Sequence, residues 1–213
     1  MPGVTISAGY GAGGSVIAPR VAKLLGFPLL DRAISSRVAE QLHVSVAEAE
    51  GGTLRRSLPD RFIGALAPLA AGLLAMGTDT APHELTPADD ADLFRDRAEA
   101  VMREALRDGA VILGRAGGAA FRAEPGVLRV RLFGPATARA AQAARIEDVD
   151  EPTAQRRLPE VDRARAQYVR RLYRADIDDP ELYHLHIDST ALPLETCAAQ
   201  IVAAYRALTG EVS

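Results

Sequence analysis

The feature that most constrains this chain is a cluster of four glycines within six residues, Gly9-Tyr10-Gly11-Ala12-Gly13-Gly14, set between an apolar run and a segment of helical spacing. Upstream, Val4 to Ala8 is short, β-branched and apolar, the pattern of a buried strand. Downstream, Val16, Ile17, Val21, Leu24 and Leu25 share one helical face, with Gly26 as the stop. Strand, glycine turn and helix in that order suit a phosphate. Glycines let backbone N–H groups approach the oxygens, and the helix N-terminus adds a favourable dipole. Three readings compete. Gly9, Gly11 and Gly14 satisfy G-x-G-x-x-G, and Asp31 closes the next strand candidate roughly 20 residues on, where a dinucleotide fold places its ribose-binding acid. The segment also satisfies G-x-x-x-x-G-K-[ST] in degenerate form, with Gly14 at the lysine position. Lys23 is the chain's only lysine, so none nearby replaces it. The third reading is a tight turn without a ligand, although four glycines exceed what a simple turn needs.

The rest of the chain alternates strands and helices. Phe27 to Leu30 is a second strand candidate. Residues 33–42, 44–50 and 58–76 read as helical, and 77–88, with Pro82 and Pro87, as a turn-rich loop. A helix follows from Asp89 or Asp92 to Asp108, then a strand from Ala110 to Leu113 that ends in Gly114-Arg115-Ala116-Gly117-Gly118. Val127 to Phe133 is a fourth strand. Arginine-rich helices over 136–146 and 153–174 flank the acidic turn Glu147 to Glu151. Tyr183 to Ile187 is a fifth strand and Leu194 to Leu208 a closing helix. The pattern predicts an α/β fold with a five-stranded, mostly parallel sheet covered on both faces. At 213 residues, one domain accommodates it.

Composition narrows the partners. A net charge of −3 argues against a nucleic-acid binder. Arginines nevertheless dominate from Arg115 to Arg174, which suggests a local anion site, while solvated helix faces account for any single arginine equally well. Cys197 is the only cysteine, so no disulfide within the chain and no cysteine metal site is expected. The N-terminus lacks the charged and apolar regions of a signal peptide. The apolar stretch Phe62 to Met76, broken by Pro68, falls short of the ~20 residues of a membrane span. The expectation is a cytoplasmic protein off the membrane, with Phe62–Met76 as a buried helix or a homodimer interface.

Several blocks in order carry a resemblance: Val4-Thr5-Ile6-Ser7, Tyr10-Gly11-Ala12-Gly13-Gly14, Ile17-Ala18, Leu30-Asp31-Arg32, Gly114-Arg115 and the segment Val161 to Leu192. Together they resemble the cytidylate kinase-like family of P-loop proteins, with residues 50–95 the least similar. That family commonly carries Gly-Gly where other P-loops carry Gly-Lys. The resemblance implies a three-layer P-loop NTPase-like fold with a helical acceptor-side insertion at about 40–95 and a lid at about 136–174. It implies ATP and Mg²⁺ as cofactors and a small phosphate acceptor, most simply a nucleoside monophosphate.

Roles follow from that resemblance. Gly9, Tyr10, Gly11, Ala12, Gly13, Gly14, Ser15 and Val16 would form the nucleotide loop. Ser15 is the only hydroxyl beside it that can reach magnesium, because Val16 stands where family kinases offer threonine; capping of the following helix is its ordinary alternative. Arg139 and Arg145 would flank the triphosphate. The segment Asp162-Arg163-x-Arg165 would belong to the lid, with Arg163 and Arg165 neutralising the transferring phosphoryl group. The block Asp188 to Leu192 would lie near the purine. Arg115 would grip the acceptor phosphate with paired hydrogen bonds. Asp31 would orient the acceptor, unless it holds a ribose, caps a helix or pairs with Arg32. His184 and His186 share a strand face without a third ligand, and Tyr168 and Tyr173 suit packing better than base stacking. Two other functions stay open: a nucleotide-binding regulatory module that has lost catalysis, and an NAD(P)-dependent oxidoreductase of Rossmann type.

Overall fold

The computed structural model describes residues 1–31 and 87–210. The helices expected over 33–42, 44–50 and 58–76 lie outside these residues, as does the apolar stretch Phe62–Met76. In chain order the elements are β1 (Gly3–Ala8), α1 (Gly14–Leu25), β2 (Leu29–Leu30), α2 (Pro87–Ala105), β3 (Ala110–Leu113) and α3 (Gly117–Ala120). They continue with β4 (Val127–Phe133), α4 (Ala136–Glu147), α5 (Glu151–Tyr173), a 3₁₀ turn (Pro180–Leu182), β5 (Leu185–Asp188) and α6 (Leu194–Thr209).

The five strands form one parallel sheet in the order β2-β3-β1-β4-β5. The chain passes from β1 to the edge strand β2, returns to β3 beside β1, and then crosses to β4 and β5 on the other side. The sheet therefore reverses its order at β1, where such sheets open a ligand crevice at their carboxyl edge. This order corrects the dinucleotide reading. A Rossmann sheet sets β2 directly beside β1; here β3 stands between them, and Asp31 is one strand removed from its expected place at the glycine turn.

Residue alternation assigns the faces. Val4, Ile6, Val111, Leu128, Val130, Leu132 and Ile187 point to the side covered by α1 and α6, where they meet Ile17, Val21, Ile201 and Tyr205. Ala110, Ile112 and Val127 point to the other side, against Ala98, Met102 and Leu106 from α2 and its end, and against Phe121. A separate small core of Tyr10, Ala140, Ala143 and Ala154 joins the glycine turn to the α4–α5 pair. Within β4 the second face carries Arg129 and Arg131, both more than nine-tenths buried.

Helix boundaries are set by local chemistry. α1 ends at Gly26 in the left-handed region, whose N–H returns to the Lys23 carbonyl. α2 starts at Pro87, inside the stretch read as a loop, because proline is pre-shaped for a first helical turn. α5 starts at Glu151, two residues earlier than expected. Asp150, read as part of an acidic turn, is its N-cap and accepts the Thr153 N–H at 2.6 Å.

Candidate functional site

The glycine turn opens the carboxyl edge of β1 onto a cleft of about 520 Å³. The backbone of this turn is arranged in an unusual way. Gly11 and Gly13 both take left-handed φ, at 74° and 71°, which places successive N–H groups on a concave surface. The Gly9 N–H donates to Leu132, that of Tyr10 to Asp162, and that of Ala12 back to Gly9. The N–H groups of Gly11, Gly13, Gly14 and Ser15 make no hydrogen bond with any described residue. Gly13 is the N-cap of α1 without a side-chain cap, and no acidic residue sits in the first turn. The positive end of the helix dipole and four N–H donors are therefore left to an anion. Ser15 is exposed on the cleft and caps nothing, so its hydroxyl is available to a metal-bound phosphate.

The glycines answer to packing as much as to a ligand. A Cβ at Gly9 would lie 2.7 Å from the Arg139 guanidinium, and one at Gly11 would collide with the Arg139 carbonyl oxygen. A Cβ at Gly13 would meet Leu194 at 2.8 Å. At Gly14, where a lysine would stand, a Cβ would lie 2.8 Å from the Ala8 Cβ and 3.2 Å from Leu113. The lysine position is closed by Ala8.

The turn is gripped by side chains from three other elements. Arg139 donates from Nη1 to the Tyr10 carbonyl at 2.8 Å and from Nε to the Gly134 carbonyl at 3.0 Å, and it pairs with Asp162 at 2.8 Å. Gln142 donates to the Gly11 carbonyl at 2.9 Å. Ser189, fully buried after β5, donates to the Ala12 carbonyl at 2.8 Å. The Tyr10 hydroxyl donates to Glu147 at 2.7 Å; burial and that carboxylate raise its pKa.

Charged groups line the cleft opposite the turn. Arg165 on α5 donates to the Ala8 carbonyl at 2.8 Å. Its tip reaches solvent, yet the cleft surrounds it. Burial lowers its proton affinity, Asp162 and Asp31 oppose that, and the Arg131 and Arg139 guanidinia add to it; a guanidinium stays charged throughout. Asp31 and Arg115 line the same cleft from the carboxyl ends of β2 and β3. Gly114, Arg115 and Ala116 are consecutively left-handed, with φ of 79°, 57° and 55°. For the two non-glycines this costs about 1–2 kcal/mol each, a strain that clusters at functional sites. Arg115 makes no hydrogen bond or ion pair with a described residue. Its charge opposes the rise of the Tyr168 phenol, which burial pushes up to about 12.

The residues expected at the site divide accordingly. Gly9, Tyr10, Gly11, Gly13, Gly14, Ser15, Asp31, Arg115 and Arg165 line the cleft, whereas Ala12 is buried beneath it and Val16 stands behind. Arg139 lies beside a neighbouring recess of about 190 Å³, with its Nη1 bonded to the turn and Asp162 and its Nε to the Gly134 carbonyl. Arg145 and Arg163 are exposed and border neither cavity. His184 and His186 are exposed, His184 accepting the Arg129 N–H at 3.3 Å, and no group of three metal-ligating side chains occurs among the described residues. Sequence reasoning missed Arg131, which reaches Ser7 at 3.1 Å and Asp178 at 2.6 Å and borders the recess. The signal was the alternation Leu-Arg-Val-Arg-Leu over 128–132, which puts both arginines on one face.

A parallel sheet that switches direction at β1, with an open N–H cradle at that switch and cations around it, defines the phosphate-loop class of α/β proteins. The chain belongs to the cytidylate kinase-like family, whose sequence model matches residues 3–191. No curated protein matches it. Among solved structures, an uncharacterised protein from Eubacterium ventriosum is similar at a TM-score of 0.66 and 17% identity, over 97% of this chain and 98% of that one. A gluconokinase from Sinorhizobium meliloti is similar at 0.49 and 14% over 99% and 94%, and an Acinetobacter baumannii shikimate kinase in complex with shikimate at 0.47 and 16% over 100% and 96%. At 17% identity the likeness to the Eubacterium ventriosum protein concerns the fold alone. No helix among the described residues is long and apolar enough to cross a membrane.

Proposed function

We propose that this chain is an ATP-dependent phosphotransferase acting on a nucleoside monophosphate or another small acceptor, with Mg²⁺ as cofactor. The observation that carries the reading is the set of four N–H groups, from Gly11, Gly13, Gly14 and Ser15, that have no partner among the described residues and lie at the start of α1 on the cleft. They suit the distal phosphates of ATP, and Ser15 would offer its hydroxyl to the magnesium those phosphates carry. The metal would neutralise phosphate charge during transfer.

Phosphoryl transfer asks the protein mainly for positioning and positive charge. A loop with Gly14 in place of lysine contributes only backbone dipoles, so the cation must come from outside it. Arg165 suits that role, because it already stands over the loop on the Ala8 carbonyl. Arg163 and Arg145 would reach substrate only after movement of the lid; Arg139 would act through the loop it holds. Arg115, strained and without a partner among the described residues, would bind the acceptor's anionic group, with Asp31 orienting the accepting oxygen.

The test is a screen of nucleoside mono- and diphosphates with ATP and Mg²⁺, read as ADP formation, beside thermal shifts with ATP–Mg²⁺ and with NAD(P). ADP formation with one acceptor, and protection by ATP alone, is the expected result. One observation favours a second reading: the Ala8 Cβ closes the lysine position. A chain that binds ATP tightly and transfers phosphate to nothing would be a nucleotide-binding regulatory module.

A further inference from the structure

The α4–α5 pair grips the backbone of the glycine turn at Tyr10, and one residue of that junction carries the wrong charge for a phosphate site. Asp162 on α5 accepts the Tyr10 N–H through Oδ1 at 2.7 Å and the Arg139 Nη1 through Oδ2 at 2.8 Å. The same Nη1 donates to the Tyr10 carbonyl at 2.8 Å. Carboxylate, guanidinium and the backbone of Tyr10 thus form a closed ring that consumes both main-chain polar groups of one loop residue. A carboxylate this near the anion cradle opposes phosphate binding by simple charge. Its placement calls for a compensating gain.

We propose that Asp162 is a positioning residue for the nucleotide phosphates; the proposal rests on the reading that the cradle binds them. Its carboxylate holds the Tyr10 peptide in the orientation that turns the next N–H groups, from Gly11 to Ser15, onto one concave surface. It also neutralises Arg139, so the cation left to act on this wall is Arg165, three residues further along α5 and on the same helical face. Docking of the lid helix and the shape of the cradle are therefore one event. The crowding at Gly9 and Gly11 agrees, because both give way to Arg139, the middle member of the ring.

Charge alone and positioning predict opposite signs. If Asp162 acted only through its charge, Asp162→Asn would tighten ATP binding. Positioning predicts weaker binding, by about tenfold to a hundredfold in Asp162→Ala, the range expected for hydrogen bonds to a charged group, and by less in Asp162→Asn, whose amide oxygen can still accept the Tyr10 N–H. The experiment is calorimetric titration of ATP–Mg²⁺ into the wild-type chain, both Asp162 variants, Arg139→Gln and the double variant Asp162→Ala/Arg139→Gln. It is joined to hydrogen exchange of the Tyr10 amide in the ligand-free proteins. We expect faster Tyr10 exchange in Asp162→Ala, weaker ATP binding in both Asp162 variants, and a double variant no worse than Asp162→Ala. With turnover measurable, the KM for ATP rises and that for the acceptor does not. Asp162→Asn keeps the side-chain volume and serves if Asp162→Ala unfolds. Unchanged or tighter ATP binding in these variants overturns the role of Asp162 while leaving the nucleotide reading intact. A Tyr10 amide that exchanges at the wild-type rate overturns it as well. A wild-type chain that binds no ATP overturns the nucleotide reading, and the phosphate-positioning role with it.

Discussion

Restoring the missing lysine is the most direct trial of how this loop is built. Gly14 is the first residue of α1, with a backbone any residue can adopt, so Gly14→Lys meets no backbone strain. Its helix propensity would add up to about 1 kcal/mol of stability. Against that stands the Ala8 Cβ, 2.8 Å from where the new Cβ must lie, with Leu113 at 3.2 Å behind it. Ala8 ends the central strand and is held in register with Leu132 of β4, which limits its freedom to yield. Overpacking of this kind costs about 1–3 kcal/mol, so at its mid-range the clash outweighs the gain by about 1 kcal/mol, or about 2–4 °C in Tm for a chain of this size. We expect Gly14→Lys to melt earlier and to gain no affinity for ATP–Mg²⁺. Ala8→Gly removes the obstructing methyl, so Gly14→Lys should cost less in that background, with a coupling of about 1–2 kcal/mol in a double-mutant cycle read by thermal and urea unfolding. A Gly14→Lys protein as stable as the wild type, with additive behaviour in the cycle, would refute the claim that Ala8 closes the position.

Further outcomes follow from single contacts. Arg115→Gly should raise Tm by about 2–4 °C, since glycine relieves about 1 kcal/mol of left-handed strain, while abolishing acceptor binding; a lower Tm would mean that the Arg115 side chain holds the fold. Ser189→Ala leaves the Ala12 carbonyl without its donor and should cost about 1–3 kcal/mol by urea unfolding, with ATP binding weakened as well. Undiminished ATP affinity would separate the β5 end from the loop. Asp188 has its pKa lowered by the Thr190 hydroxyl and N–H, so its contribution is present above the unfolded carboxylate pKa of about 3.9 and is lost as pH falls through the depressed folded value. Asp188→Asn should therefore flatten the acid limb of a Tm-against-pH profile, and an unchanged limb would assign it to other carboxylates.

Elements with a single dominant signal were legible in the sequence. β3 and β4 begin and end where their strand patterns do, at Ala110–Leu113 and Val127–Phe133, because glycines, and a proline after β4, break the pattern at their ends. The start of α5 was misplaced because an aspartate in an acidic turn looks like a spacer until its carboxylate is seen on the Thr153 amide. The glycine turn was legible as a strand-to-helix turn between β1 and α1, but the reason for its composition was not. Gly9, Gly11 and Gly13 stand opposite Arg139 and Leu194, more than a hundred residues away, and no local pattern reports such an approach. Among the α5 arginines, spacing alone treated Arg163 and Arg165 alike. The 100° step of a helix puts Asp162 and Arg165 toward the loop and leaves Arg163 in solvent, a distinction that required the docking of α5 to be known.

The contacts at Gly9, Gly11 and Gly13 have a consequence for how descendants of such a chain diverge. Replacing any of the three would disturb the seat of α4 or α6 before it disturbed a ligand. Selection for a folded protein is thus enough to preserve the glycine signature, even in a lineage that has stopped transferring phosphate. In this architecture the loop's composition would follow from packing, and a proposed loss of transfer would show instead at Arg165 and Arg115, whose side chains line the cleft.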